Sequence, residues 1–473
     1  MSHGSSMSAL AQRFAANLEA VFAAVAPLRG GLALAYSGGL DSSVLLVLAA
    51  AYAKQQQLPL HALHIHHGLS PHADAWLAHC AATCAALQVP FAFERVSVNR
   101  GDAAGLEGSA RSARYLALGR LCLAADSQFL MAAHHQDDQA ETLLMQMLRG
   151  SGVAGLSGMD SWNTAPTLLG HPTLVMLRPL LQESRASLAE YAAEHALQHI
   201  EDESNADLRF TRNALRHQVM PLLENIVPGF AARMGRAARH TQAAQALIEA
   251  LAADDMAACR LGQGLAVSAL QALSDERINH VLRLWLGQSG ARMPSTARLL
   301  EMRKQLFAAK DNARITIYHE ALALHRYQGC IYAAPRQAPV PLLDEYDEAL
   351  PVLSQDFFWR GEAVLDFPAF RGRLHFHAAE HGFAGDYMQQ QCLTLHLRRG
   401  GERLKLAANR PTRDMKSHYQ SLQIPFWIRQ QLPFVSSGAQ LLYAAGVGMQ
   451  SAYCSEQHGE KYALEWVPDP AAV

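Results

Sequence analysis

The chain has 473 residues, 50% of them hydrophobic and 17% charged, which is enough apolar surface for several packed cores and excludes a mainly disordered chain. Forty basic against 42 acidic side chains leave a formal charge of −2, so net charge announces no nucleic-acid partner; one would need a local basic patch. No apolar run approaches the ~20 residues of a membrane span, and no secretory pattern opens the chain, so a cytoplasmic protein with no membrane partner is expected. The seven cysteines are odd in number and scattered, which fits reduced thiols better than a structural zinc site.

Residues 1–6 read as a polar lead-in, and Ala-rich residues 8–26 predict a helix ended by Gly30-Gly31. Leu32 to Tyr36 reads as a buried strand, followed by the loop Ser37-Gly38-Gly39-Leu40-Asp41-Ser42-Ser43 and a helix from Val44. Strands at 60–65, 91–98 and 129–133 then alternate with helices at 72–88 and 109–125. That alternation predicts an α/β domain with a parallel sheet covered on both faces. Residues 150–175 look loop-like, 181–225 helical with breaks at Pro221 and Pro228, and 230–310 helical. Two short strands are expected in 313–333, a proline-marked linker with an acidic stretch at 344–348, and short strands with glycine turns from about 355. We expect three domains: a catalytic one at 1–225, a mainly helical one at 226–335, and a small mixed α/β one at 345–473.

The loop at 37–43 joins a strand to a helix, where glycines admit close backbone approach and the helix N-terminus offers unsatisfied N–H groups. It has the makings of a phosphate cradle. It contains no lysine, so it is not a Walker loop. Asp41 would repel phosphate unless it holds Mg²⁺ or a cationic substrate; the alternative is a plain Gly-Gly turn with Asp41 and Ser42 capping the helix.

A second cluster, His134-His135-Gln136-Asp137-Asp138-Gln139-Ala140-Glu141, follows the strand at 129–133. Either Asp138 or Asp137 shares a helix face with Glu141. An acidic helix cap, with Asp137 its strongest candidate, competes with a pocket for a cation. Zinc is less attractive because H-E-x-x-H is absent.

The Ser-Gly-Gly-x-Asp-Ser loop resembles that of the PP-loop ATP pyrophosphatases, and the block at 134–142 resembles the H-x-x-D-D-Q-x-E-T motif of their tRNA(Ile)-lysidine synthetase family. Residues 149–156, Arg178 to Leu181, 202–207, Arg212-Asn213 with Arg216, Pro221-Leu222, Ala110-Arg111, Ala113-Arg114-Tyr115 and His67-Gly68-Leu69 fit the same family. Ser70 stands where Arg is common, and it is given no role. The resemblance covers the whole chain and is most specific over 37–216.

It implies that ATP adenylates the C2 oxygen of the wobble cytidine of a tRNA(Ile) with a CAU anticodon. The ε-amine of L-lysine then displaces AMP, changing decoding from AUG to AUA. Ser37, Gly38, Gly39, Leu40, Asp41, Ser42 and Ser43, with His67 and Arg111, would bind ATP, with Mg²⁺ on Asp41. Asp138 and Glu141 would hold the lysine ammonium, and one of them or His135 would take its proton. Holding the neutral amine of a group with pKa ~10.4 at pH 7 costs about 4.6 kcal/mol, so such an acceptor is needed. A homodimer is left open.

Between Thr394 and Gln430, eight basic residues face two acidic ones, with His396, His418, Tyr419 and Trp427 interleaved. Arg398, Arg399 and Arg403 are expected on RNA phosphate, as are Arg212 and Arg216 unless these tie the domain edge together. Arg233, Arg236 and Arg239 recur every three residues on a helix and suit either an RNA stem or water. The alternatives are another PP-loop tRNA-modifying enzyme such as a thiolase, which would want catalytic cysteines, and a nucleotide-sensing or RNA-binding module with no need of the acidic block.

Overall fold

The computed structural model describes residues 8–25, 30–68, 70–97, 105–308, 315–336, 353–454 and 460–469. The Pro339–Pro341 part of the expected linker, the acidic stretch and Leu69 lie outside the described residues. The chain divides into two compact units, 1–248 and 249–473.

In the first unit, α1 (Ala9–Ala24) is followed by β1 (Gly31–Ala35), α2 (Leu40–Gln56), β2 (Leu60–His66), α3 (Ala73–Ala86), β3 (Phe91–Arg95), α4 (Gly105–Ala124), β4 (Ser127–Met131) and α5 (Gln136–Leu148). The stretch 150–175, expected as loop, holds the short helices α6 (Val153–Leu156) and α7 (Pro166–Leu169), β5 (Trp162–Thr164) and the start of β6 (Val175–Leu177). Three-residue strands are too short to show a period, so the sequence hides them. The sheet order is β3-β2-β1-β4-β6-β5, parallel except for β5.

β1 reads Gly-Leu-Ala-Leu-Ala because both its faces are covered: Leu32, Ala33 and Leu34 are fully buried. α2 lacks a polar stripe for the same reason, with Val44, Leu45, Leu46, Leu48 and Ala49 all inside. Each such Leu or Val contributes roughly 1.5–3 kcal/mol by leaving water. The order reverses between β1 and β4, and that switch point is where open parallel sheets leave a crevice at their carboxyl edge. The loop at 37–43 and the cluster at 134–141 emerge on its two sides.

Beyond the sheet lie α8 (Arg185–Glu194), α9 (Thr211–Ala214), a π-helical turn at Leu215–Val219, α10 (Met220–Ile226) and the long α11 (Phe230–Cys259). Pro221 has no N–H for residue 217, and its ring would crowd that carbonyl; a wider turn just before it relieves both demands.

In the second unit, two short strands at 260–266 interrupt the stretch expected to be helical to 310, and the helices α12 (Val267–Gln271), α13 (Asp275–Gln288) and α14 (Thr296–Ala308) follow. They pack Val281, Leu282, Trp285, Leu299 and Met302 against a five-stranded antiparallel sheet, β7-β8-β11-β10-β9. Where two strands were expected, β9 (Ile315–His319), β10 (Leu322–Tyr327) and β11 (Cys330–Pro335) form three, joined by the small hairpin β7 (Arg260–Leu261) and β8 (Gly264–Ala266). From β12 (Ser354–Phe357) onward the chain builds two larger antiparallel sheets around Trp359, Phe376, Leu395 and Val435 and a two-stranded one pairing Arg403–Leu404 with Arg413–Asp414, with short helices between strands.

Candidate active site

Gly38 sits at φ +84°, and a Cβ there would lie 2.5 Å from Ile200 Cδ1 and 2.9 Å from Cys80 Sγ, so glycine is required twice over. Its carbonyl accepts the Ile200 N–H at 2.8 Å and the Ser43 hydroxyl at 3.3 Å. Ser42 Oγ donates to the Gly39 carbonyl at 3.0 Å and lies 3.1 Å from Ser37 Oγ. Gly39 is the N-cap of α2 and no side chain caps it. Asp41 and Ser42 are therefore not helix caps, and the N-terminal end of α2 stays open to an anion.

Asp41 places Oδ2 3.6 Å from His135 Nε2, while its Oδ1 is buried with no hydrogen-bond partner. A carboxylate oxygen left unpaired beside a phosphate cradle suits a hard cation, so these residues fit Mg²⁺. Among the described residues no three His, Cys, Asp or Glu side chains gather to hold a metal, so phosphate oxygens and water would complete its shell.

Across the switch point, His135 is the N-cap of α5 in a reciprocal box with Asp138: the Asp138 N–H points to Nδ1 at 3.4 Å, and Asp138 Oδ2 accepts the His135 N–H at 3.1 Å. Asp137, the expected cap of this helix, instead accepts the N–H of Arg185, first residue of α8, at 2.9 Å. The His135 ring is buried within 3.4–3.6 Å of Asp138, Asp41 and Asp137. Burial opposes its charge, but Asp137 and Asp41 by hydrogen bonding, and Asp138 and Asp41 by charge, outweigh that and push it up to about 10. A protonated Nδ1 cannot accept the Asp138 N–H. Three carboxylates against one long hydrogen bond decide for the imidazolium. Raised in this way, His135 carries its proton at neutral pH. His134 goes the other way: burial, opposed by Asp138 and reinforced by Arg178, Arg212 and Arg111, lowers it to about 3.

Arg212 and Arg216, expected on RNA phosphate unless they tie the domain edge together, both lie on the acidic pair. Arg212 donates to Glu141 Oε2 at 2.8 Å and Asp138 Oδ1 at 2.9 Å. Arg216 donates to Glu141 Oε1 at 2.6 Å and Asp138 Oδ1 at 2.9 Å. Glu141 is 1% exposed and the two arginines about a quarter. Burial favours neutral arginine, yet the paired carboxylates raise both. The signal that could have found this clamp is Arg-x-x-x-Arg at 212–216, whose spacing puts both guanidiniums on one helix face.

His67 follows β2, on the strand next to β1, and its Nδ1 is buried without a partner. Burial, then Arg114, lowers its pKa. Arg111 and Arg114 are exposed on α4 with their guanidiniums over the Tyr115 ring at 5.0 and 5.3 Å. Arg178 is buried and donates to the Asp160 carbonyl and Asn163 Oδ1, so it braces β6.

In the second unit, Arg398 and Arg399 lead into a turn at Gly400-Gly401, both at positive φ, and Arg403 follows. All three are exposed, with Arg410, Arg413 and Lys416 nearby in sequence. The interleaved rings are engaged within the protein. His396 and His418 are buried and hydrogen-bonded, Tyr419 is fully buried, and Trp427 stacks on His325 at 4.2 Å. Arg233, Arg236 and Arg239 are exposed on α11.

A parallel sheet carrying a lysine-free glycine–serine loop at its switch point defines a PP-loop domain, and the family model described as a PP-loop domain matches residues 10–223. Models described as the TilS substrate binding domain and the TilS substrate C-terminal domain match 265–332 and 393–466. The chain belongs to the tRNA(Ile)-lysidine synthase family. It is 40% identical over 465 residues to the tRNA(Ile)-lysidine synthase of Burkholderia pseudomallei, covering 93% of each chain. It is 39% identical to that of Alkalilimnicola ehrlichii, covering 91% of this chain and 94% of the relative. Among solved structures, the U34-tRNA thiolase NcsA from Methanococcus maripaludis is similar at a TM-score of 0.40 and 17% identity over 49% of this chain and 79% of that one, too remote to bear on function.

Proposed function

We propose that this chain is an ATP-dependent ligase that forms lysidine in tRNA. ATP adenylates the C2 oxygen of the wobble cytidine of a tRNA(Ile) with a CAU anticodon, releasing pyrophosphate. The ε-amine of L-lysine then attacks C2 and AMP leaves. The observation that carries the reading is the bridge across the switch point: the His135 ring lies 3.6 Å from Asp41 of the phosphate loop and 3.4 Å from Asp138 of the acidic motif. The two half-reactions therefore share one crevice.

In this reading the N–H groups and hydroxyls of 37–43 hold the β- and γ-phosphates, with His67 and Arg111 at the rim. Asp41 holds Mg²⁺, which when bound neutralises phosphate charge. Asp138 and Glu141 bind the lysine ammonium, and one of them accepts the proton lost on attack. Arg398, Arg399 and Arg403 hold tRNA phosphate. The division at 1–225, 226–335 and 345–473, and a cytoplasmic location, belong to the same proposal. Among the described residues no helix is long and apolar enough to cross a membrane.

A thiolase would need a reactive thiol by the loop. Cys80, packed beneath Gly38, and its neighbour Cys84 are buried, and desolvation pushes both thiols up to about 12. The deciding assay supplies ATP, labelled lysine and bulk bacterial tRNA. Label should enter RNA with release of AMP and pyrophosphate; ADP in place of AMP would overturn the reading.

A further inference from the structure

Asp138 and Glu141 are already occupied. Two carboxylates meet two guanidiniums through four close ion pairs, and each carboxylate oxygen is engaged, both of Glu141 and Oδ1 of Asp138 by arginine and Oδ2 of Asp138 by the His135 N–H. A lysine ammonium entering this cluster would compete with two guanidiniums for oxygens already taken, and like charges pressed together in a largely buried place repel strongly. Either an arginine leaves or an anion arrives. Arg216 is the mobile candidate: it also feels the Asp41 carboxylate on the phosphate loop, and it sits in the π-helical turn ahead of Pro221. One backbone hydrogen-bond shift in such a turn re-aims the side chain, and π turns recur at functional sites. A guanidinium binds phosphate as readily as carboxylate.

We propose that Arg212 and Arg216 act as a cationic plug in the lysine ammonium subsite, released when nucleotide phosphate fills the loop at 37–43. This rests on the reading that Asp138 and Glu141 hold the substrate ammonium. The plug makes lysine binding conditional on nucleotide, so the amine docks once there is an adenylation to follow. By linkage, lysine must tighten nucleotide binding by the same factor that nucleotide tightens lysine binding.

The test is equilibrium binding of L-lysine to the full chain, with and without an ATP analogue whose α–β bridge is methylene. In the unaltered protein the analogue should tighten lysine binding by about tenfold or more, and lysine should tighten the analogue equally. Arg216→Gln should tighten lysine binding to the nucleotide-free protein by a similar factor and erase most of the analogue's effect. Arg216→Lys keeps the cation and should behave like the parent. Unchanged or weaker lysine binding in nucleotide-free Arg216→Gln would overturn the plug. Should that variant not fold, absence of the reciprocal linkage in the unaltered protein overturns it equally. Asp138→Asn separates the two ideas. If it leaves lysine binding intact, the ammonium lies elsewhere and both fall; if it weakens lysine while Arg216→Gln changes nothing, the plug alone falls.

Discussion

The molecule uses arginine in two opposite ways. At the switch point Arg212 and Arg216 are mostly buried, each on two carboxylates. Around Gly400-Gly401, Arg398, Arg399 and Arg403 stand in water on a turn. Charge in the first place is a matter of position, because each partner removed leaves another stranded at low dielectric. Charge in the second is a matter of number, because water screens every group and the effects add.

The contrast is sharpest for single substitutions. Glu141→Gln leaves two buried guanidiniums sharing the single carboxylate of Asp138 and should cost about 3 kcal/mol of stability in the first unit, read by thermal or denaturant unfolding. A cost below about 1 kcal/mol, the level of a surface pair, would erase the distinction. Next in size is Gly38→Ala, which meets both a positive φ and the Ile200 and Cys80 side chains. It should cost about 1–3 kcal/mol and abolish tRNA-dependent pyrophosphate release.

A buried group of the second unit gives a pH test. His325 is packed against Trp427 and is lowered by burial from 6.5 to about 4. The unfolded chain then binds more protons between those values, so stability is full above about pH 6.5 and falls as pH drops toward about 4. In His325→Phe that acid loss should shrink. The smallest effect belongs to the exposed arginines. Replacing Arg398, Arg399 and Arg403 by Ala should leave unfolding nearly unchanged and lower the salt slope of tRNA binding by about one for each phosphate no longer neutralised. An unaltered slope would make them plain surface.

The comparison also explains what the chain disclosed beforehand. β1, β2 and β4 and the helices between them were legible because both faces of these strands are covered and their apolar runs are long enough to count. The phosphate loop and the acidic motif were legible because each is a contiguous stretch between a strand and a helix. β5, β6 and the β7–β8 hairpin were not, being two or three residues per strand. The clamp was not legible either: Arg212 and Arg216 lie more than 70 residues from the carboxylates they meet. The surroundings of His135, one of three candidate proton acceptors in the sequence, were hidden as well, because two of the three carboxylates around its ring are adjacent in the chain but the third, Asp41, comes from a distant loop.

The carbonyl of Gly38 is tied down from two sides, by the Ile200 amide and the Ser43 hydroxyl. In a trans peptide the following N–H points the opposite way. The Gly38–Gly39 unit is therefore held with its acceptor inward, and its donor is left to the hydroxyl of Ser37, at 3.4 Å a long bond that a stronger acceptor can replace without turning the peptide over.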